Sequence, residues 1–160
     1  MTYWRKLAVV GIGALSLMGA SAVGVNADGR GDSLISFDSM TPVTGASVNA
    51  VNDRGIKGGG FAWAIRSGTG SVDHQGDVSV TVKGLVIPQF GNINPVPFFK
   101  ATVSCITPHG VANVSTRTFP ASMAGDSTIN ATVDLPHPCK DPIVFVAAPN
   151  GLWFAESNSE

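Results

Sequence analysis

Three histidines, His74, His109 and His137, are the bases on which hydrolytic chemistry in this chain of 160 residues would have to rest. Nucleophilic catalysis sets a Ser, Thr or Cys against such a base and a third group that orients it. Each histidine lies beside Gly, Gln or Pro, in a context that predicts a solvated turn. Neither a Gly-x-Ser-x-Gly elbow nor a Ser-x-x-Lys pair occurs. Paired carboxylates for glycan hydrolysis are equally poorly supplied: the glutamates are Glu156 and Glu160, both close to the C-terminus, and the aspartates fall in predicted turns. His137-Pro138-Cys139 is the nearest approach to a metal-ligand spacing, and no aspartate series follows the EF-hand pattern. The expectation is a protein without catalytic residues, metal or cofactor.

Cys105 and Cys139 are the two cysteines, and in an exported chain they read as a disulfide. A redox pair would more often be spaced Cys-x-x-Cys. Closing a loop of this length stabilises by roughly 3 to 4 kcal/mol in the chain-entropy model. A bonded Cys139 also has no thiolate to offer a metal beside His137.

Export is read from the first residues. Arg5 and Lys6 precede an uncharged apolar run over 7–18, then small residues, a signal-peptide layout. Cleavage is expected between Ala27 and Asp28, with Ala20-Ser21-Ala22 as an earlier candidate. The alternative is an uncleaved anchor, because 7–25 approaches the length that crosses a bilayer; its richness in Gly, Ala and Ser makes it a poor permanent span. The organisation that follows is a signal peptide over 1–27, a flexible mature N-terminus over 28–33 and one domain over 34–160. Arg30-Gly31-Asp32 falls in that terminal stretch and is read as a chance tripeptide. Losing Arg5 and Lys6 reduces the 10 basic residues to 8, against 11 acidic ones. No basic cluster remains to neutralise phosphates, so nucleic acid is not an expected partner. No membrane contact is expected once the signal is removed.

The elements that would position any site are strands. Val78, Val80 and Val82 alternate with Ser79, Thr81 and Lys83. Phe61, Trp63 and Ile65 alternate likewise, and the glycine-rich residues 67–76 read as a loop between the two runs. Phe99, Ala101, Val103 and Cys105 share one predicted strand face, which points Cys105 inward. Further strands are expected over 111–118, 129–135, 143–148 and 152–156, with 34–38 and a doubtful one over 46–51. Turns are expected at 108–110, 123–126 and 149–151. The fold class is all-β: an antiparallel immunoglobulin-like β-sandwich of about seven to nine strands, with a small β-barrel as the alternative.

The order Gly60-Phe61-Ala62-Trp63, Gly84-Leu85-Val86-Ile87, Asn94-Pro95-Val96-Pro97, the Cys105 strand, Pro138-Cys139 and Trp153-Phe154-Ala155 resembles a group of small exported bacterial β-rich proteins of unknown function. The resemblance implies a bacterial source, export and a β scaffold. It brings no activity and no functional residue.

What remains is an interaction surface. Phe90, Phe98 and Phe99 flank a connection over 88–97 stiffened by three prolines, and Trp153 lies in the last strand. Aromatic side chains on a rigid loop bind at small entropic cost. The leading expectation is a secreted, non-catalytic binding or cell-surface module whose partner is a cell-wall polymer or another exported protein. The alternatives are an unrecognised exported hydrolase using His74 or His109, and a structural protein assembling through sheet edges.

Overall fold

The valines at 78, 80 and 82 set the pattern of the first sheet, as all three are buried while their neighbours face outward. The computed structural model describes residues 32–158. The signal segment 1–27, its cleavage at Ala27 and Asp28, and Arg30-Gly31 lie outside the described residues.

Among the described residues ten strands form two antiparallel sheets that face one another without closing into a barrel. The first contains β1 (Ser33–Phe37), β3 (Ser67–Asp73), β4 (Asp77–Lys83) and β8 (Ser127–Thr132), in the order β1-β3-β4-β8. The second runs β2-β10-β9-β5-β6, from β2 (Met40–Pro42), β10 (Trp153–Ser157), β9 (Lys140–Ala147), β5 (Phe98–Thr107) and β6 (Gly110–Ser115), with β7 (Phe119–Pro120) also on β5. Val72, Val80 and Ile129 from one sheet and Phe99, Val103 and Val146 from the other close a single core. Trp63 stacks on Phe154 within it, ring centroids 4.0 Å apart.

β9 is apolar without alternation because both its faces are covered. Val144 and Val146 belong to the inter-sheet core, while Phe145 packs edge-on against Trp153 on the other face. That outer face is crossed by the chain around 48–58: Trp153 N–H donates to Lys57 O and the Asn113 amide donates to Arg54 O.

Three expectations from the pattern differ from the structure. The alternating run Phe61, Trp63, Ile65 is not a strand; it is an irregular segment joined to Val86 by one bridge at Ala64. The glycine-rich residues 67–73 are the strand, β3, with Gly68, Gly70 and Val72 inward. The reason is steric. A Cβ at Gly68 would meet the Met40 side chain at 2.6 Å, and one at Gly70 would meet Ser79 O at 2.5 Å and the Phe37 ring at 2.7 Å. The glycines make room for core side chains contributed by β1 and β2. The doubtful strand over 46–51 is instead a 3-10 turn at Gly45–Ser47, followed by one bridge from Val51 to Lys57.

Cys105 and Cys139 are bonded, with Cα atoms 4.8 Å apart. Cys105 is buried in β5, and Cys139 immediately precedes β9, the neighbouring strand. The bond therefore works within one sheet, whereas the bond of antibody domains spans two. It ties the irregular 133–139 connection to the strand beside it.

Candidate surface at one end of the sandwich

The fold gathers three connections at one end, where β4 ends and where β5, β8 and β10 begin. These are residues 58–66, 84–97 and 117–126. Hydrogen bonds lace them into one body: Ala64 with Val86 in both directions, Leu85 N–H to Gly125 O at 2.9 Å, Asn94 N–H to Met123 O at 2.8 Å and Ala121 N–H to Pro97 O at 2.8 Å. Gly125 adopts φ of +77°, and an added Cβ would lie 2.2 Å from Leu85 O, so the close approach requires glycine.

Asn94 is the pin of this body. Its side chain is buried and fully used: Nδ2 donates to Val96 O at 2.7 Å and Ser122 O at 2.9 Å, while Oδ1 accepts from Val96 N–H at 2.9 Å. Over this frame, Pro88–Phe90 forms a 3-10 turn closed by Gly91 in the left-handed conformation.

The frame holds apolar side chains outward. Phe61 and Phe90 remain 44% and 43% exposed yet contact each other edge-to-face, centroids 4.8 Å apart at 63°. Beside them Ile93, Pro95, Pro97, Ala121 and Met123 line a groove of about 400 Å³. Phe98, opposite Pro120, is 45% exposed. Arg117 lies over the Phe119 ring at 4.1 Å, and Arg66 and Lys83 share Asp126 at 3.7 and 4.0 Å.

Of the four aromatic residues singled out by sequence, the structure brings Phe90 and Phe98 to this surface and buries Phe99 and Trp153. Successive strand residues point to opposite faces, so Phe98 and Phe99 divide: Phe99 enters the core against Trp63 and Phe154. Trp153 is covered by the crossing chain at Lys57. The sequence pattern does not single out Phe61, Ile93 or Met123, because alternation assigns Phe61 to the same face as Trp63. Charge does not single them out either: residues 58–65, 84–99 and 118–125 contain no charged side chain, but neither do 39–52, 101–116 and 142–155.

The other candidate chemistry does not assemble. His109 sits exposed in the β5–β6 turn. His74 and His137 line a small cleft of about 170 Å³ with Leu34, Leu135, two prolines and the bonded Cys139, which supplies no hydroxyl or thiol nucleophile. Asp32 lies 3.8 Å from His74 Nε2. No group of three or more His, Cys, Asp or Glu among the described residues is placed to hold a metal ion. No helix among them is long and apolar enough to cross a membrane.

A polar trough of about 640 Å³ lies on the outer face of the first sheet, lined by Ser36, Ser71, Ser79, Asn130 and the Asp73–Asp77 turn. Its carboxylates are already engaged. Asp73 Oδ1 accepts the amides of Gln75 and Asp77, each at 2.9 Å, and Asp77 accepts the Thr132 hydroxyl. On the second sheet, burial pushes the Glu156 carboxyl above its ordinary value, with Arg54 drawing it back.

The chain matches no family model, no curated protein and no solved structure.

Proposed function

We propose that this is an exported, non-catalytic binding module of bacterial origin whose working surface is the loop end built around Phe61 and Phe90. The observation that carries the reading is the exposed edge-to-face pair of those two rings on a frame pinned by Asn94. A side chain held in place before binding loses little entropy on binding. Apolar side chains held out to water on a laced frame contribute nothing to the core, and contiguous exposed apolar surface marks interaction sites. The signal layout of residues 1–27 supports export, and the resemblance to small exported bacterial proteins supports the source. Titration of wall polymers and exported proteins tests the reading. Saturable binding is expected at micromolar concentration or tighter, weakened roughly tenfold or more by Phe61→Ser with Phe90→Ser, since each ring buries apolar area. Binding that ignores the two substitutions overturns it.

A second reading, assembly through sheet edges, has its own observation: the outer strands β6 (GVANVS) and β8 (STINAT) carry neither charge nor proline. Sedimentation across a wide dilution range decides it. A concentration-independent monomer removes it.

A further inference from the structure

Most charges of the described residues are sorted along the molecule's length, with Asp38, Asp53 and Glu156 outside the two groups. The charged residues that bound the three loop-end segments 58–65, 84–99 and 118–125 in sequence are Lys57, Arg66, Lys83, Lys100, Arg117 and Asp126, five cations and one anion. All lie at the loop end or just behind it: Lys57 and Lys100 line one groove beside the 149–151 turn, and Arg66 and Lys83 flank Asp126. The opposite end has the reverse sign. Asp73 and Asp77 bracket the β3–β4 turn, Asp32 meets His74, Asp134 follows β8 and Asp141 begins β9, with Lys140 and Arg54 the cations nearby.

We infer that the loop end docks on a lipid surface, with Phe61, Phe90, Ile93 and Met123 entering the headgroup region and the cations behind them facing lipid phosphates. The inference rests on the binding reading above and names its partner. Interfacial binding scales with buried apolar area plus attraction to anionic lipid, and this end offers both in the right order: an uncharged apolar tip, then a cationic collar. Charge polarity orients the molecule tip-first in approach.

The other partners fit less well. Protein hot spots draw on Tyr, Trp and Arg anchors inside a polar rim, whereas the exposed groups here are Phe, Ile, Met and Pro, which donate no hydrogen bond. A sugar ring needs a flat platform and polar side chains beside it. The two phenyl planes meet at 63°, and the Asn94 amide is consumed by the backbone. Lipid docking would depart in this respect from the sequence expectation of no membrane contact.

The test is co-sedimentation of the mature protein with phosphatidylcholine vesicles, with and without phosphatidylglycerol. Wild type should pellet with both and more strongly with the anionic mixture, salt removing only the extra part. Phe61→Ser with Phe90→Ser should weaken the partition roughly tenfold or more. Ile93→Ser with Met123→Ser should act the same way and guards against a folding defect in the first variant. Val111→Ser, an equally exposed apolar residue at the far end, should change nothing. Wild type remaining in the supernatant, or both pairs of loop variants pelleting like wild type, overturns the inference. If vesicles fail while the Phe61 and Phe90 substitutions still weaken a polymer or protein partner, the lipid assignment falls and the binding module stands.

Discussion

Asn94 concentrates in one side chain the order of the whole loop end. Replacing it by Ala would leave the Val96 amide and the Val96 carbonyl without their side-chain partner, while Ser122 O would keep only the Gly125 amide. Such losses cost about 1 to 3 kcal/mol each where water does not reach, so Asn94→Ala should destabilise by about 2 kcal/mol or more in denaturant unfolding and speed hydrogen exchange at Val96. Unchanged exchange there would show that the prolines alone hold the loop. Glu156 makes a prediction of opposite sign. Its carboxyl is raised by burial above the ordinary 4.5, so the folded state resists its ionisation. The stability that follows is fully present below the ordinary value and is lost as pH rises through the raised one. Glu156→Gln should match wild type in acid and exceed it at neutral pH in thermal unfolding. A variant weaker than wild type at neutral pH would mean that attraction to Arg54 outweighs desolvation.

Among the elements, those with a period-two pattern and side chains of ordinary size were legible in the sequence. β4, β5 and the β9–β10 hairpin follow from the alternation of valines, from the Phe99 to Cys105 face and from the Pro149-Asn150-Gly151 turn. β3 was not legible, because its inward positions are Gly68 and Gly70 and their partners Met40 and Phe37 come from distant sequence. A pattern made of absences has no period to read. The same limit applies to the site: proline stiffening located Phe90 and Phe98, but Phe61 reaches Phe90 only through the tertiary bridge at Ala64 and Val86. Two substitutions test the element-level account. Gly125→Ala meets three backbone atoms of Leu85 and an unfavourable φ, whereas Gly68→Ala meets only the flexible Met40 side chain. Gly125→Ala should therefore be the more damaging, by about 2 kcal/mol or more in total. Replacing Cys105 and Cys139 together by Ala should cost roughly 3 to 4 kcal/mol in denaturant unfolding. A much smaller loss would show that β5–β9 pairing already holds the 133–139 connection.

At the scale of the molecule, the sandwich separates two kinds of surface. The outer face of the first sheet and the far turns are covered largely by Ser, Thr, Asn and Asp side chains, several of whose polar groups serve turns and neighbouring strands, while the outer face of the second sheet is crossed by the chain around 48–58. The tip of the loop end is uncharged, apolar and braced, with cations collected behind it. The central claim is that this end does the binding, and the most direct measurement is amide-resolved NMR of residues 28–160 with anionic vesicles that carry a nitroxide in the headgroup region. Broadening is predicted at Phe61, Phe90, Ile93 and Met123, fading along the strands and absent at the turns around His74 and His109. Broadening centred on those far turns or on the Ser71, Ser79 and Asn130 face, or none above that of a protein-free nitroxide control, would contradict it.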